Sequence, residues 1–323
     1  MDPRRLALAC VLSLAGCDGA DKAAPQDAAA PTPPPAAPQT PATEPEAPKS
    51  TSHALLDWLD PDAVAIVYTK MAHTVDAEAF ATTFAVPPKL ARMLRDVPAV
   101  DDALDAISDP ADPRPAQWLG PEAVASTSVV SSGTYVLRPL IKPRAEVEAI
   151  LGRAGMTADT VEGFTIYLPR GAFPWKVAFV TDTVVAFVPV KEIGTGLSPL
   201  TAGRDLPPSQ AETELRTVLD DDPATSLEAF AAGPLLHLDL GQDLAQYAVR
   251  ARPFQRSGLE VEVRLAPMED PMAAAGALGD RDLSLETDAL AALAKKVAFT
   301  VEGPVVVGRL QMPATEVATL AEG

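Results

Sequence analysis

The chain has 323 residues, 47% hydrophobic and 22% charged, which is enough for one large or two small globular domains. Lys and Arg number 26 against 44 Asp and Glu, for a net charge of −18. That balance excludes a nucleic-acid binder built on clustered cations, and it disfavours adhesion to an anionic membrane through a basic patch. Only two Cys are present, so no disulfide framework, iron–sulfur cluster or Cys-rich zinc site can form, and no cofactor is expected.

Residues 1–17 read MDPRRLALACVLSLAGC. Arg4 and Arg5 supply a positive start, and Leu6 to Ala15 form an apolar stretch of ten residues. That is about half of what a helix needs to cross a bilayer, and it suits the core of a secretory signal. The stretch ends in Leu14-Ala15-Gly16-Cys17, which resembles the lipobox of bacterial prolipoproteins. The resemblance covers only these first residues. It implies lipid on the Cys17 thiol, cleavage just before it, and a signal peptide of residues 1–16. Asp2 departs from the pattern by weakening the positive start. Cys10 would leave with the signal, so a lipidated Cys17 leaves no free thiol for catalysis or redox sensing. The exported part would keep 24 cationic against 43 acidic side chains.

Asp18 to Ser52 contains nine Pro and ten Ala, with APTPPPAAPQTPATEPEAP at its heart. So few large apolar side chains cannot offset the entropy of ordering, and Pro keeps such a chain extended. At ~3.1 Å per residue, a polyproline tether of this length reaches up to ~100 Å. The lipidated Cys and tether are therefore read as residues 17–53, with the folded region starting at Ala54.

Beyond it, the fold class expected is α+β, with antiparallel sheets and packed helices. Ala63 to Tyr68 is β-rich and nearly all apolar, which predicts a central strand. Leu90, Met93, Leu94 and Val97 predict an amphipathic helix that Pro98 ends or kinks. A helix is expected from Pro143 to Leu151, stopping at Gly152. Lys176 to Val190 reads as two strands about a Thr181-Asp182-Thr183 turn, with Pro189 at a sheet edge or at the strand's own end. Ser209 followed by Glu212 forms a capping box ahead of Leu215, Val218 and Leu219. Leu259, Val261, Val263 and Leu265 alternate with charged residues, which predicts a strand with one wet face. Leu290, Leu293 and Val297 share one face of a further helix.

Lys176-Val177-Ala178-Phe179 recurs as Lys296-Val297-Ala298-Phe299, each time after a strand, a Pro and a helix ending in Leu-Gly. This suggests two related halves, 54–203 and 204–323, in which strand, helix, strand and hairpin repeat. Phe179 and Phe299 are then expected at equivalent, well-buried positions.

Motifs for chemistry are sparse. Gly194-Thr195-Gly196 lacks the third Gly of a dinucleotide fold, and Ser131-Ser132-Gly133 lacks the flanking Gly of a nucleophile elbow. The three His (His53, His73 and His237) are not at zinc-hydrolase spacing. His237 and Asp239 would share one face of a strand, with Leu236, Leu238 and Leu240 on the other. An Asp there could orient an imidazole for general-base work, or the two could be a structural pair on a sheet surface. Asp220-Asp221-Asp222, Asp101-Asp102 with Asp105, and Asp109 with Asp112 invite a calcium reading, but consecutive carboxylates point apart and suit turns and caps better. Trp58, Trp118 and Trp175 are scattered as packing residues are. The reading overall is a lipid-anchored envelope protein on the periplasmic side, in the inner or outer membrane. Its role would be non-catalytic binding or scaffolding toward an envelope protein or an apolar ligand. The rivals are a hydrolase near His237 and Asp239, and a purely structural spacer.

Overall fold

A computed structural model describes residues 51–70, 75–128, 134–169, 173–190, 206–233, 236, 238, 240, 242–255, 257–280 and 288–322. Cys17, His73, Ser131 to Gly133, Gly194 to Gly196, His237 and Asp239 lie outside them. The described chain opens with α1 (Thr51–Leu56), ahead of the Ala54 boundary read from composition.

Twelve strands form one antiparallel sheet in the order β11-β12-β10-β9-β8-β1-β2-β3-β7-β6-β5-β4. β1 (Ala63–Thr69) lies at its centre, as a continuous apolar run demands, because both of its faces are covered. It continues as a meander through β2 (Ala123–Ser128) and β3 (Thr134–Pro139). After α4 (Arg144–Arg153), the chain returns through hairpins β4 (Thr157–Val161)–β5 (Phe164–Leu168) and β6 (Trp175–Phe179)–β7 (Val184–Pro189). β7 pairs with β3, and Pro189 is the last residue of β7, where its missing N–H costs no ladder bond.

The second run starts with α5 (Gln210–Asp221), whose first turn is capped as expected: the Glu212 N–H donates to Ser209 Oγ at 3.0 Å. β8 (Leu227–Ala232) then pairs with β1, so both runs contribute to one sheet. β9 (Leu244–Phe254) and β10 (Gly258–Pro267) complete a second meander. Two helices follow, α6 (Pro271–Gly279) and α7 (Asp288–Ala294). The hairpin β11 (Ala298–Glu302)–β12 (Val305–Met312) then pairs β12 with β10, and α8 (Ala314–Glu322) closes the described chain.

Outward from the β1–β8 seam, each run is therefore three antiparallel strands, then one helix in the first run and two in the second, and a returning hairpin. The first run carries one hairpin more. In sheet position, β6 and β11 correspond; Lys176 to Phe179 lies wholly within β6, whereas only Ala298 and Phe299 of the second segment lie in β11, with Lys296 and Val297 before it. Their surroundings differ. Phe179 is buried, while Phe299 is half-buried, because β6 is flanked by β5 and β7 whereas β11 is the sheet edge. The expectation that both Phe are well buried holds only for Phe179. A second recurrence follows chain order instead. Thr160-Val161-Glu162-Gly163 turns the β4–β5 hairpin and Thr300-Val301-Glu302-Gly303 turns β11–β12, each with its Gly at positive φ.

One sheet face packs under α2 (Ala77–Thr83), α3 (Pro88–Ile107), α4, α6, α7 and α8. Val67, Val136, Val177, Phe187, Val249, Val261 and Val263 point into that core. The opposite face carries Ile66, Tyr68, Tyr135, Leu137 and Phe230 under α1 and α5. All three Trp are buried. Pro98 does not end its helix: α3 runs on to Ile107, with Val100 and Leu104 buried beyond it. Its apolar stripe continues past the Pro, so packing offsets the one hydrogen bond that Pro cannot donate. α4 likewise runs one residue past Gly152, and Gly155 at φ +82° ends the turn that follows.

Candidate functional site

Ala275, Gly279, Ala294 and Ala298 bring small side chains to the place where α6, α7 and β11 meet, and they leave a cavity of about 260 Å³. Thr83, Leu278, Ala294 and Val297 form its buried inner wall. Gly279, Lys295 and Ala298 are exposed at its rim, and Ala275 and Phe299 lie between. A side chain added at Gly279 would meet nothing within 4 Å, so this exposed helix end at the rim has room for one. Gly308 on β12 explains the position of Phe299. A Cβ at Gly308 would come within 2.6 Å of the Phe299 ring, so only Gly lets the ring lie against the strand. The Thr83 hydroxyl oxygen is buried in the structure without a hydrogen-bond partner.

The face of β10 read as wet carries paired charges. Glu262 accepts from Arg264 and from Arg309, both at 2.8 Å, and Arg309 reaches on to Glu302 at 2.7 Å. These bonds hold the Glu302 carboxyl below its usual range and raise Arg309 above its own. Arg252 bonds Glu260 at 2.6 Å in the next row. Such exposed pairs contribute little each.

Glu228 is the inner end of the same cross-strand row and differs in kind. It lies fully buried on β8, opposite Tyr68 on β1 and Arg250 on β9. Arg250 donates to one carboxylate oxygen at 2.9 Å, and the other oxygen has no partner. Burial outweighs Arg250 and pushes the Glu228 carboxyl up to about 8, from the usual 4.5. The folded chain therefore holds a proton across that window that the unfolded chain has lost. Stability is greatest below the window and falls as pH rises through it. Melting temperature is expected to drop between pH 5 and 8, and Glu228→Gln to flatten that drop. A Glu228→Gln slope equal to wild type would show that the carboxyl titrates normally.

The acidic clusters act as pairs, caps and turns. Asp101 pairs with Arg138, Asp112 with Arg153 and Asp105 with Arg114. Asp109 accepts from the Ala111 N–H, and Asp222 from the Ala224 N–H. Among the described residues, no group of three or more His, Cys, Asp or Glu is placed to hold a metal. His53 faces Asp220 at 3.2 Å, tying α1 to α5. Leu236, Leu238 and Leu240 lie between β8 and β9 outside any strand, with the Leu240 N–H donating to the Leu238 carbonyl. Leu236 and Leu240 are buried and Leu238 is half-buried, all three against the same core. The cavity escaped the sequence reading because its signal is only four small residues, spread over two helices and a strand. No helix among the described residues is long and apolar enough to cross a membrane.

No protein-family model matches the chain, and no curated protein matches it. Among solved structures, crystal form I of TP0453 aligns over 82% of this chain and 95% of its own, with 12% identity and a TM-score of 0.43. Crystal form IV of TP0453 aligns over 84% of this chain and 100% of its own, with 12% identity and a TM-score of 0.42.

Proposed function

We propose that this protein is a lipid-anchored component of a bacterial envelope whose folded region binds or scaffolds rather than catalyses. The observation that carries the reading is Leu14-Ala15-Gly16-Cys17 at the end of a short apolar stretch. The Pro- and Ala-rich residues that follow would hold the folded region away from the lipid, on the periplasmic side of the inner or outer membrane. The small-residue cavity supports a binding role toward an apolar ligand, and an envelope protein is the other partner class. The hydrolase alternative at His237 and Asp239 rests on sequence spacing alone.

Cys17→Ala tests the anchor. The variant is expected to lose metabolic lipid labelling and to be released from membranes or to persist as uncleaved precursor. Retention of Cys17→Ala in membranes after a carbonate wash would place the anchor elsewhere and overturn the reading.

A further inference from the structure

We infer that the cavity between α6, α7 and β11 binds a medium-chain carboxylate, with its acyl chain against the inner wall and its head group on Lys295. The inference rests on the binding role proposed above and names the ligand class.

Three observations support it. Leu278, Ala294 and Val297 put apolar side chains on the inner wall, within a lining that is about half polar, and the small residues around it leave space where larger side chains would pack. A cavity of about 260 Å³ has the liquid volume of roughly nine waters at ~30 Å³ each, which suits a chain of about eight to ten carbons. The rim carries one cation. Lys295 is exposed there and makes no ion pair among the described residues, whereas its neighbour Lys296 is held by Glu316. An ammonium at the mouth of a cavity with apolar side chains on its inner wall selects an amphiphile with an anionic end over a neutral or cationic one.

The test uses the full chain carrying Cys17→Ala, so that neither lipid nor detergent competes, with decanoate below its micelle concentration as the probe. Calorimetric titration is expected to show saturable one-to-one binding of decanoate. Lys295→Met should weaken decanoate by a few-fold, up to about five-fold, and leave decanol unchanged, because only the head-group pair is lost. Gly279→Leu fills open space and should abolish binding of both probes while keeping the wild-type melting temperature. If Gly279→Leu fails to fold, Ala298→Leu at the exposed rim narrows the same mouth and should reduce both. Absence of saturable decanoate binding overturns the inference, as does undiminished binding in the filled variants. An equal loss of decanoate and decanol in Lys295→Met overturns the head-group assignment. None of these outcomes touches membrane retention of the lipidated chain, so the anchor reading fails or stands separately.

Discussion

Arg138→Met is expected to destabilise the protein by about 3–5 kcal/mol, a large share of the ~5–15 kcal/mol that holds a typical domain together. Arg138 is 2% exposed on β3 and spans the space to α3. One guanidinium nitrogen donates to Asp101 at 2.8 Å and another to the Gly120 carbonyl at 2.9 Å. Gly120 is needed at that approach, because a Cβ there would come within 2.7 Å of Pro139. Removing the cation takes from the buried Asp101 carboxylate the guanidinium that faces it, and the loss of that charge partner dominates the cost. The pair itself is worth much less, since both ions were taken out of water to make it. Arg138→Met combined with Asp101→Leu should therefore recover most of the loss, with the Gly120 carbonyl accounting for what remains. Urea midpoints of wild type, both single variants and the double variant measure this directly. A single Arg138→Met variant within about 1 kcal/mol of wild type would mean that water reaches the pair.

That ion pair also marks the limit of what the sequence could tell. Local features were legible because their physics is local: the run Ala63 to Tyr68, the alternation from Leu259 to Leu265, the Ser209 cap and the Thr181-Asp182-Thr183 turn each depend on a few neighbouring residues. Asp101 and Arg138 are 37 positions apart, and their meeting depends on α3 crossing beneath β2 and β3. Pro98 misled for the same reason, since the packing that carries α3 past it lies on other elements. The cavity is harder still. Ala275, Gly279, Ala294 and Ala298 are unexceptional singly, and only topology places them around one space. Strand rank was equally hidden. Ala178 and Ala298 hold the same place in identical tetrapeptides, yet Ala178 is buried in the sheet interior on β6 and Ala298 is exposed on the edge strand β11.

Strand rank decides the other large effect, at Phe179. Its ring is buried against Tyr167, with centroids 5.9 Å apart, and the Arg144 guanidinium lies 4.8 Å from its centroid. Phe179→Ala removes a core aromatic, leaves a cavity and deprives Arg144 of its stacking surface, and it should cost about 3–5 kcal/mol. Phe299 occupies the matching place on the edge strand, packs against the same core and is half-buried. Phe299→Ala should cost only about 1–2 kcal/mol, because solvent already reaches part of the ring. Gly308 gives a sharper version of the comparison. Gly308→Ala should destabilise the wild type, since its Cβ would press on the Phe299 ring at 2.6 Å and on Val297 at 3.1 Å. In the Phe299→Ala background the ring contact is gone and only the Val297 contact remains, so the same change should cost less, and the two positions should couple in a double-mutant cycle. Guanidinium denaturation of wild type, the three β11–β12 variants and Phe179→Ala provides every number. Equal losses at Phe179 and Phe299 would show that edge and interior sites bury their rings alike. Additive Gly308 and Phe299 changes would show that the ring does not rest on the strand.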